Sequence, residues 1–166
     1  MQAAIQTLEN LFYEKILLYQ DLVECLKRER SSLIKTDIDG LWEISDEKQA
    51  LVSRIEAVRK RILEVLSEAS IDHGMNVSLF RLANVLSLIP REHRGRFKKA
   101  YLSLVSLKGE IHQRSQENKL FIEESVRFLD ELIGIIAGAD QPKPVYNHAR
   151  SLTSKGHTNL LLHKEV

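Results

Sequence analysis

The most regular stretch of the sequence runs from residue 41 to residue 65 and reads LWEISDEKQALVSRIEAVRKRILEV. Its apolar residues recur in alternating steps of three and four, with Lys48 as the one departure: Leu41, Ile44, Leu51, Ile55, Val58, Ile62 and Val65. Such steps place all of these side chains along one side of an α-helix. We therefore predict a long amphipathic helix, and we call this row of residues the heptad seam.

A second amphipathic helix precedes the heptad seam and begins near Ile5. Two charged residues, Lys15 and Glu29, interrupt a stripe that otherwise consists of Ile5, Leu8, Phe12, Tyr19, Leu22, Leu26 and Leu33. Spacing by three or four residues over this length is typical of a helix with one buried face. We predict that this helix ends at Leu33 or Ile34.

A short turn over residues 35–37 is predicted to join the two helices. Thr36, followed three residues later by Asp39, is typical of the capping pair at the start of a helix. Because the connection is short, an antiparallel hairpin is the simplest packing of the two helices. Two helices cannot bury both apolar stripes fully, so we expect a third.

The later part of the chain supplies this third helix. Residues 70–78 break the helical spacing, and Ser78 is a candidate cap for a short helix over Leu79–Ile89. The longest helix is predicted to run from Pro90 to Ala137 and to end at Gly138. Its inward-facing side chains are predicted to be Phe97, Tyr101, Leu104, Ile111, Ile122, Leu129, Leu132 and Ile136.

These elements predict an all-α fold. We expect a long antiparallel helical hairpin packed with a further long helix, forming an elongated, coiled-coil-like bundle over residues 1–138. Two prolines within residues 140–144 indicate a linker. Residues 139–166 are therefore predicted to form a linker and a C-terminal tail.

Composition restricts the class of protein. The 166 residues include 24 Lys and Arg against 23 Asp and Glu, so no strong net charge attracts the chain to nucleic acid or an anionic membrane. Cys25 is the single cysteine, which excludes an intramolecular disulfide and is typical of a reducing compartment. No signal peptide and no membrane-spanning stretch of about 20 apolar residues is evident. We expect a cytoplasmic protein without membrane insertion.

The sequence contains no convincing motif for catalysis, cofactor binding or metal binding. Its glycines do not form a phosphate-binding loop, and its six histidines include no His-x-x-x-His pair. Packing among Leu22, Val23 and Leu26 explains Cys25. We expect a protein that is not an enzyme and that has no cofactor and no metal.

One dense basic cluster lies near the start of the longest helix: Arg91, His93, Arg94, Arg96, Lys98 and Lys99. Binding of single-stranded nucleic acid usually adds aromatic side chains on which bases stack, and none are interleaved here. Basic side chains also solubilise helices. We therefore expect no nucleic-acid partner, although this cluster is where such a partner would bind.

The end of the longest helix has more apolar residues than one stripe requires: Phe121, Val126, Phe128, Leu129, Leu132, Ile133, Ile135 and Ile136. One explanation is burial against the other helices or against a second copy of the chain. The other is an exposed surface for a partner helix. In the second case Phe121, Phe128, Leu129 and Leu132 are the candidate partner-binding residues.

Two segments carry a resemblance to a known family. Residues 29–42, ERSSLIKTDIDGLW, followed by Glu47-Lys48-Gln49-Ala50-Leu51, resemble the helical-hairpin signature of FlgN-like flagellar export chaperones. Asn118 and Leu120, followed by Ile122-Glu123, resemble the family's Asn-containing stretch ahead of an apolar end. Together these segments extend the resemblance over most of residues 1–138.

The resemblance implies a small cytosolic chaperone. Such a chaperone would bind hook-associated proteins of the hook-filament junction, prevent their premature association and deliver them to the export apparatus. Tyr146 is the residue that matches the family's docking element for the export gate, with simple packing of the tail as the alternative. A self-associating coiled-coil scaffold that uses the heptad seam, and forms a homo-oligomer, is the alternative function.

Overall fold

The computed structural model describes residues 2–71, 73–76, 78 and 80–139. They form four α-helices: α1 (Gln2–Lys35), α2 (Ile38–Glu68), α3 (Leu82–Leu88) and α4 (Arg94–Ala139). These residues contain no strand, and the helices pack against each other, so the predicted all-α class is confirmed. The chain divides into two compact units, Met1–Glu123 and Glu124–Val166. The predicted boundary between residues 138 and 139 stays a prediction.

The turn between α1 and α2 ends one helix and caps the next. Thr36 has a left-handed φ of 55°. Its N–H donates to the Leu33 carbonyl at 3.2 Å, and the following N–H, of Asp37, donates to the Ser32 carbonyl at 3.0 Å. This pattern is a Schellman motif, which satisfies the last carbonyls of a helix.

Asp37, and not Thr36, is the N-cap of α2. Its Oδ1 accepts a hydrogen bond from the Gly40 N–H at 3.1 Å. A Cβ atom at position 40 would lie 2.3 Å from Asp37 Oδ2, so a larger residue there would require this carboxylate to shift. The predicted cap at Thr36 is therefore wrong, because that residue belongs to the end of α1, which runs to Lys35.

The heptad seam lies in the interior of the hairpin. Its Leu41 is half-buried, and six of its residues are buried: Ile44, Leu51, Ile55, Val58, Ile62 and Val65. They share one core with the buried residues of α1, among them Leu8, Phe12 and Leu18. Because the chain's own helices cover the seam, the alternative of a self-associating scaffold loses the surface on which it depended.

An aromatic pair joins α1 to α4. The rings of Phe12 and Phe97 meet edge to face, with centroids 5.1 Å apart and an interplanar angle of 82°. Both side chains are fully buried, together with Ile62 and Leu66 of α2 and Val85 of α3. All four helices therefore contribute to one hydrophobic core in the first unit.

The bounds of α3 and α4 differ from the prediction. α3 begins at Leu82, after Arg81, and not at Leu79, which lies outside the described residues. α4 begins at Arg94, because residues 91–93 form a turn in which the His93 N–H donates to the Pro90 carbonyl at 3.0 Å. At its other end α4 passes through Gly138 to Ala139, the last described residue.

The inward-facing residues predicted for the longest helix are correct only in its first half. Phe97 and Leu104 are buried, and Tyr101 and Ile111 are half-buried. The predictions for the second half are wrong, since four residues are exposed: Ile122, Leu129, Leu132 and Ile136. In the first unit, the residue that covers the Phe121 ring is Arg30, which lies close to the end of α1.

A polar layer replaces apolar packing at one level of the three long helices. Glu29 of α1 is paired with Lys48 of α2 through Oε1. Its Oε2 accepts from Asn118 Nδ2 of α4 at 2.8 Å, and the same amide donates to the Leu26 carbonyl at 3.0 Å. Glu29 and Lys48, which interrupt the apolar stripes of α1 and α2, thus meet Asn118 of α4 in one hydrogen-bonded layer. Such a layer fixes the register of packed helices, since sliding any helix would leave a buried polar group unpaired.

Candidate functional site: the apolar arc of helix α4

The end of α4 exposes a continuous series of large apolar side chains. Seven residues between 126 and 136 have exposed fractions from 38 to 67 %: Val126, Phe128, Leu129, Leu132, Ile133, Ile135 and Ile136. An exposed apolar surface of this size is at the upper end of what a monomeric protein shows, and such patches are often functional. We call these seven residues the apolar arc.

The helix holds the apolar arc on one side. With about 100° of rotation per residue, the seven side chains cover about half of the circumference, or about 180°. The other half carries Arg127, Asp130, Glu131 and Gly134. Gly134 costs about 1 kcal/mol in helix propensity relative to alanine, but it lies within the continuous helix Arg94–Ala139. The segment is therefore amphipathic, and the side chains of its apolar half are exposed.

The structure separates the four predicted partner-binding residues. Phe128, Leu129 and Leu132 belong to the apolar arc and are exposed. Phe121 is half-buried, with the Arg30 guanidinium 4.2 Å from the centre of its ring. The predicted docking residue, Tyr146, lies outside the described residues.

Three further exposed apolar residues lie outside the predicted sites. Ile34, Ile38 and Trp42 lie at the turn of the hairpin, and Trp42 is 70 % exposed. Ile38 and Trp42 lie four residues apart within α2 and so share one side of that helix, which is the signal that could have revealed this pair. Ile34 belongs to α1 and the other two residues to α2, so no stripe within a single helix contains all three.

Ser67 and His73 are close together but are not arranged for nucleophilic catalysis. His73 Nδ1 accepts a hydrogen bond from the Met75 N–H at 3.1 Å, so the proton of the neutral ring is on Nε2. This Nε2 lies 3.1 Å from Ser67 Oγ and donates to it. A general base must instead accept the proton of the serine. The pair therefore organises the loop after α2.

Cys25 is likewise not poised as a nucleophile. Its side chain is fully buried, and its Sγ donates to the Ile44 carbonyl at 3.7 Å. Burial raises the pKa of the thiol, which lowers the fraction of reactive thiolate. Among the described residues, no group of three or more His, Cys, Asp or Glu side chains could hold a metal ion.

The basic cluster is partly used within the fold. Arg94 Nε donates to the Ile89 carbonyl at 2.7 Å, and Nη2 donates to the Ser87 carbonyl at 2.9 Å. Arg94 therefore satisfies carbonyls at the end of α3. Arg96 lies 3.7 Å from Glu9 of α1. Arg94 thus has a structural role, whereas the ion pair of Arg96, whose side chain is 71 % exposed, contributes little to stability.

None of the described helices is long and apolar enough to cross a membrane. The apolar arc lies along one side of its helix, and recognition between amphipathic helices uses apolar contact along one side.

Comparison with known proteins identifies the family. A protein-family model described as FlgN protein matches residues 1–154. Neither a curated protein nor a solved structure matches the chain. The FlgN family is a family of flagellar chaperones and is not known for enzymatic activity. With nearly its whole length matched, this chain belongs to the FlgN family.

Proposed function

We propose that this chain is a cytoplasmic chaperone for hook-associated proteins, the proteins of the hook-filament junction. It binds them before export, prevents their premature association and delivers them to the flagellar type III export apparatus. The observation that carries the proposal is the apolar arc, a helical surface that stays exposed in a chain whose family acts in flagellar export. Phe128, Leu129 and Leu132 of the arc are proposed to contact the client.

The size of the apolar arc is suited to reversible binding. Seven side chains with these exposed fractions present on the order of 600 Å² of apolar surface. Covering that area gives a gross gain of about 15 kcal/mol at about 25 cal/mol per Å². Association costs about 4–15 kcal/mol in lost freedom of motion. The difference allows a client to be held in the cytoplasm and released at the export apparatus.

Replacing Leu129 by aspartate is expected to weaken client binding at least tenfold without changing the stability of the chaperone. The substitution removes an apolar contact and places a charge where the client excludes water. The measurement is calorimetric titration with purified hook-associated proteins of the same organism, beside circular dichroism and thermal unfolding of the variant.

Leu102→Asp is the matched control for this experiment. Leu102 lies on the same helix and is 56 % exposed, against 55 % for Leu129, but it is outside the apolar arc. We expect wild-type affinity for this variant. Equal loss of binding in both variants would contradict the assignment of the arc as the client site. Unfolding of the Leu129→Asp variant would instead assign Leu129 to a buried contact.

Phe121 is not included in the proposed client site. Its ring is half-buried under Arg30 in the first unit, so a substitution there would disturb the fold as well as any partner. Its participation in client binding stays a prediction, as does the homo-oligomer that the sequence left open.

We assign the second step, docking to the export gate, to Tyr146 in the C-terminal segment. The support is the resemblance of this position to the family's docking element and the match of the family model through residue 154. Tyr146→Ala is expected to leave client affinity unchanged and to lower the amount of hook-associated protein secreted into the medium. Secretion at the wild-type level would show that export does not need this tyrosine.

A further inference from the structure

The apolar arc is wider than the surface that one neighbouring helix covers. A two-helix coiled coil uses about two of every seven residues in its seam. In the arc, seven of the eleven residues from 126 to 136 are large and apolar. A single amphipathic helix buries a stripe of about 100°, against about 180° for the arc. One partner helix would therefore leave part of the arc in water.

The arc has two edges on opposite sides of the helix. With about 100° per residue, Phe128 and Ile135 form one edge, whereas Val126 and Ile133 form the other. We call them the Phe128 edge and the Ile133 edge. Leu129, Leu132 and Ile136 lie between them. All seven side chains are exposed, so both edges are open to a partner.

Carboxylates follow both edges of the arc. By the same rotation, Glu124 and Glu131 lie beside the Phe128 edge and Asp130 beside the Ile133 edge, while Arg127 lies in the middle of the polar side. Within the described part of the chain, none of these three carboxylates forms an ion pair. A partner that covers the arc brings its own flanking side chains next to these carboxylates.

The acidic edges argue against a second copy of the chain as the occupant. In a symmetric pair formed through the arc, the edges of one helix would face the edges of the other. Carboxylates would then meet carboxylates on both sides, and like charges at an interface oppose association. A partner with lysine or arginine beside its apolar face meets no such repulsion.

We propose that the apolar arc receives two amphipathic helices of one client, one along each edge, and that lysine or arginine residues flank the apolar faces of these helices. The inference rests on the proposed function, since the client is taken to be a hook-associated protein. Together with α4 the two client helices would form a three-helix interface, which covers about half of the circumference of each helix.

The test is site-specific photo-crosslinking in the full-length protein. The photoreactive amino acid benzoylphenylalanine replaces Phe128 in one variant and Ile133 in another, and Arg127 in a control on the polar side. Each variant is irradiated with a purified hook-associated protein, and the crosslinked residues are identified by mass spectrometry. We expect both edge positions to crosslink to the client, at two different segments, and the control to give less than a tenth of their yield.

The outcomes separate this inference from the proposed function. If both edges crosslink to one and the same client segment, the two-helix arrangement is overturned while client binding by the arc stands. Crosslinks from the edges to a second copy, or to residues 140–166 of the same chain, would assign the arc to that occupant instead. If the wild-type protein binds no hook-associated protein in titration, the proposed function itself fails.

Charge reversal tests the chemistry of the client. Glu131→Lys and Asp130→Lys place a positive charge at the Phe128 edge and the Ile133 edge, and each is expected to weaken binding by about threefold or more at low salt. The difference from wild type should shrink as salt is added. Arg127→Glu reverses a charge on the polar side and should leave the affinity within twofold. Unchanged affinity in both lysine variants would overturn the assignment of basic residues to the client.

Discussion

Replacing Phe12 by alanine is expected to lower the free energy of unfolding by about 3–5 kcal/mol, the range found when a buried aromatic ring is removed from a core. The Phe12 side chain is fully buried and packs edge to face on Phe97, with centroids 5.1 Å apart. Its loss leaves a cavity where α1 meets α4. Urea denaturation followed by circular dichroism measures the change.

Tyr13→Ala is the control for the Phe12 substitution. Tyr13 is the next residue of α1 and is also aromatic, but its side chain is 51 % exposed. We expect a loss below about 1 kcal/mol, because substitutions outside the core have small effects. Similar losses for both variants would contradict the packing of α4 on this side of α1.

Replacing Lys15 by methionine is expected to raise the free energy of unfolding by about 3 kcal/mol at pH 7. The side chain is buried, with Nζ 5.0 Å from the centre of the Phe80 ring and 5.7 Å from that of Tyr19. Burial, and then the nearby charge of Arg59, lower the pKa of Lys15 from 10.5 to about 8. Methionine fills a similar volume and carries no charge that must be removed from water.

The pH dependence gives the sharper test of Lys15. Between pH 8 and 10.5 the unfolded chain binds more protons at this lysine than the folded chain, so wild-type stability rises with pH through this window. The advantage of Lys15→Met should therefore be largest below pH 8 and fall towards zero near pH 10.5. A variant less stable than wild type at pH 7 would show that contacts of the ammonium with the two rings outweigh its burial.

The helical hairpin could be predicted in detail because its signal is local. The heptad seam repeats with a fixed period, and this period determines which side of the helix is buried. The boundary at Thr36 could not be predicted in the same way. A C-terminal residue with positive φ is usually glycine, so threonine there gave no signal that α1 ends in a Schellman motif.

The sequence shows polar residues within the apolar stripes but does not show which groups they pair with. Glu29, Lys48 and Asn118 each interrupt a different helix, and only the packed structure shows that they meet in one layer. Their partners are up to 92 positions apart along the chain. Pairing over such separations depends on how the helices pack, which the spacing within each helix does not determine.

The composition of the apolar arc could be read from the sequence, whereas its exposure could not. A stripe that packs on a neighbouring helix and a stripe that binds a client have the same spacing. The two halves of α4 differ in burial. Phe97 and Leu104 belong to the hydrophobic core, whereas Leu129 and Ile136 are exposed. The sequence accordingly predicted the same inward face for both halves of α4, and the second half was wrong.

Co-purification tests the central claim most directly. The tagged full-length protein is purified from its own organism, and the proteins that accompany it are identified by mass spectrometry, beside the Leu129→Asp and Leu102→Asp variants. The account predicts that hook-associated proteins accompany the wild-type protein and the Leu102→Asp variant, and that they are lost from the Leu129→Asp variant. Recovery of the protein only with itself, or with nucleic acid, would contradict the account.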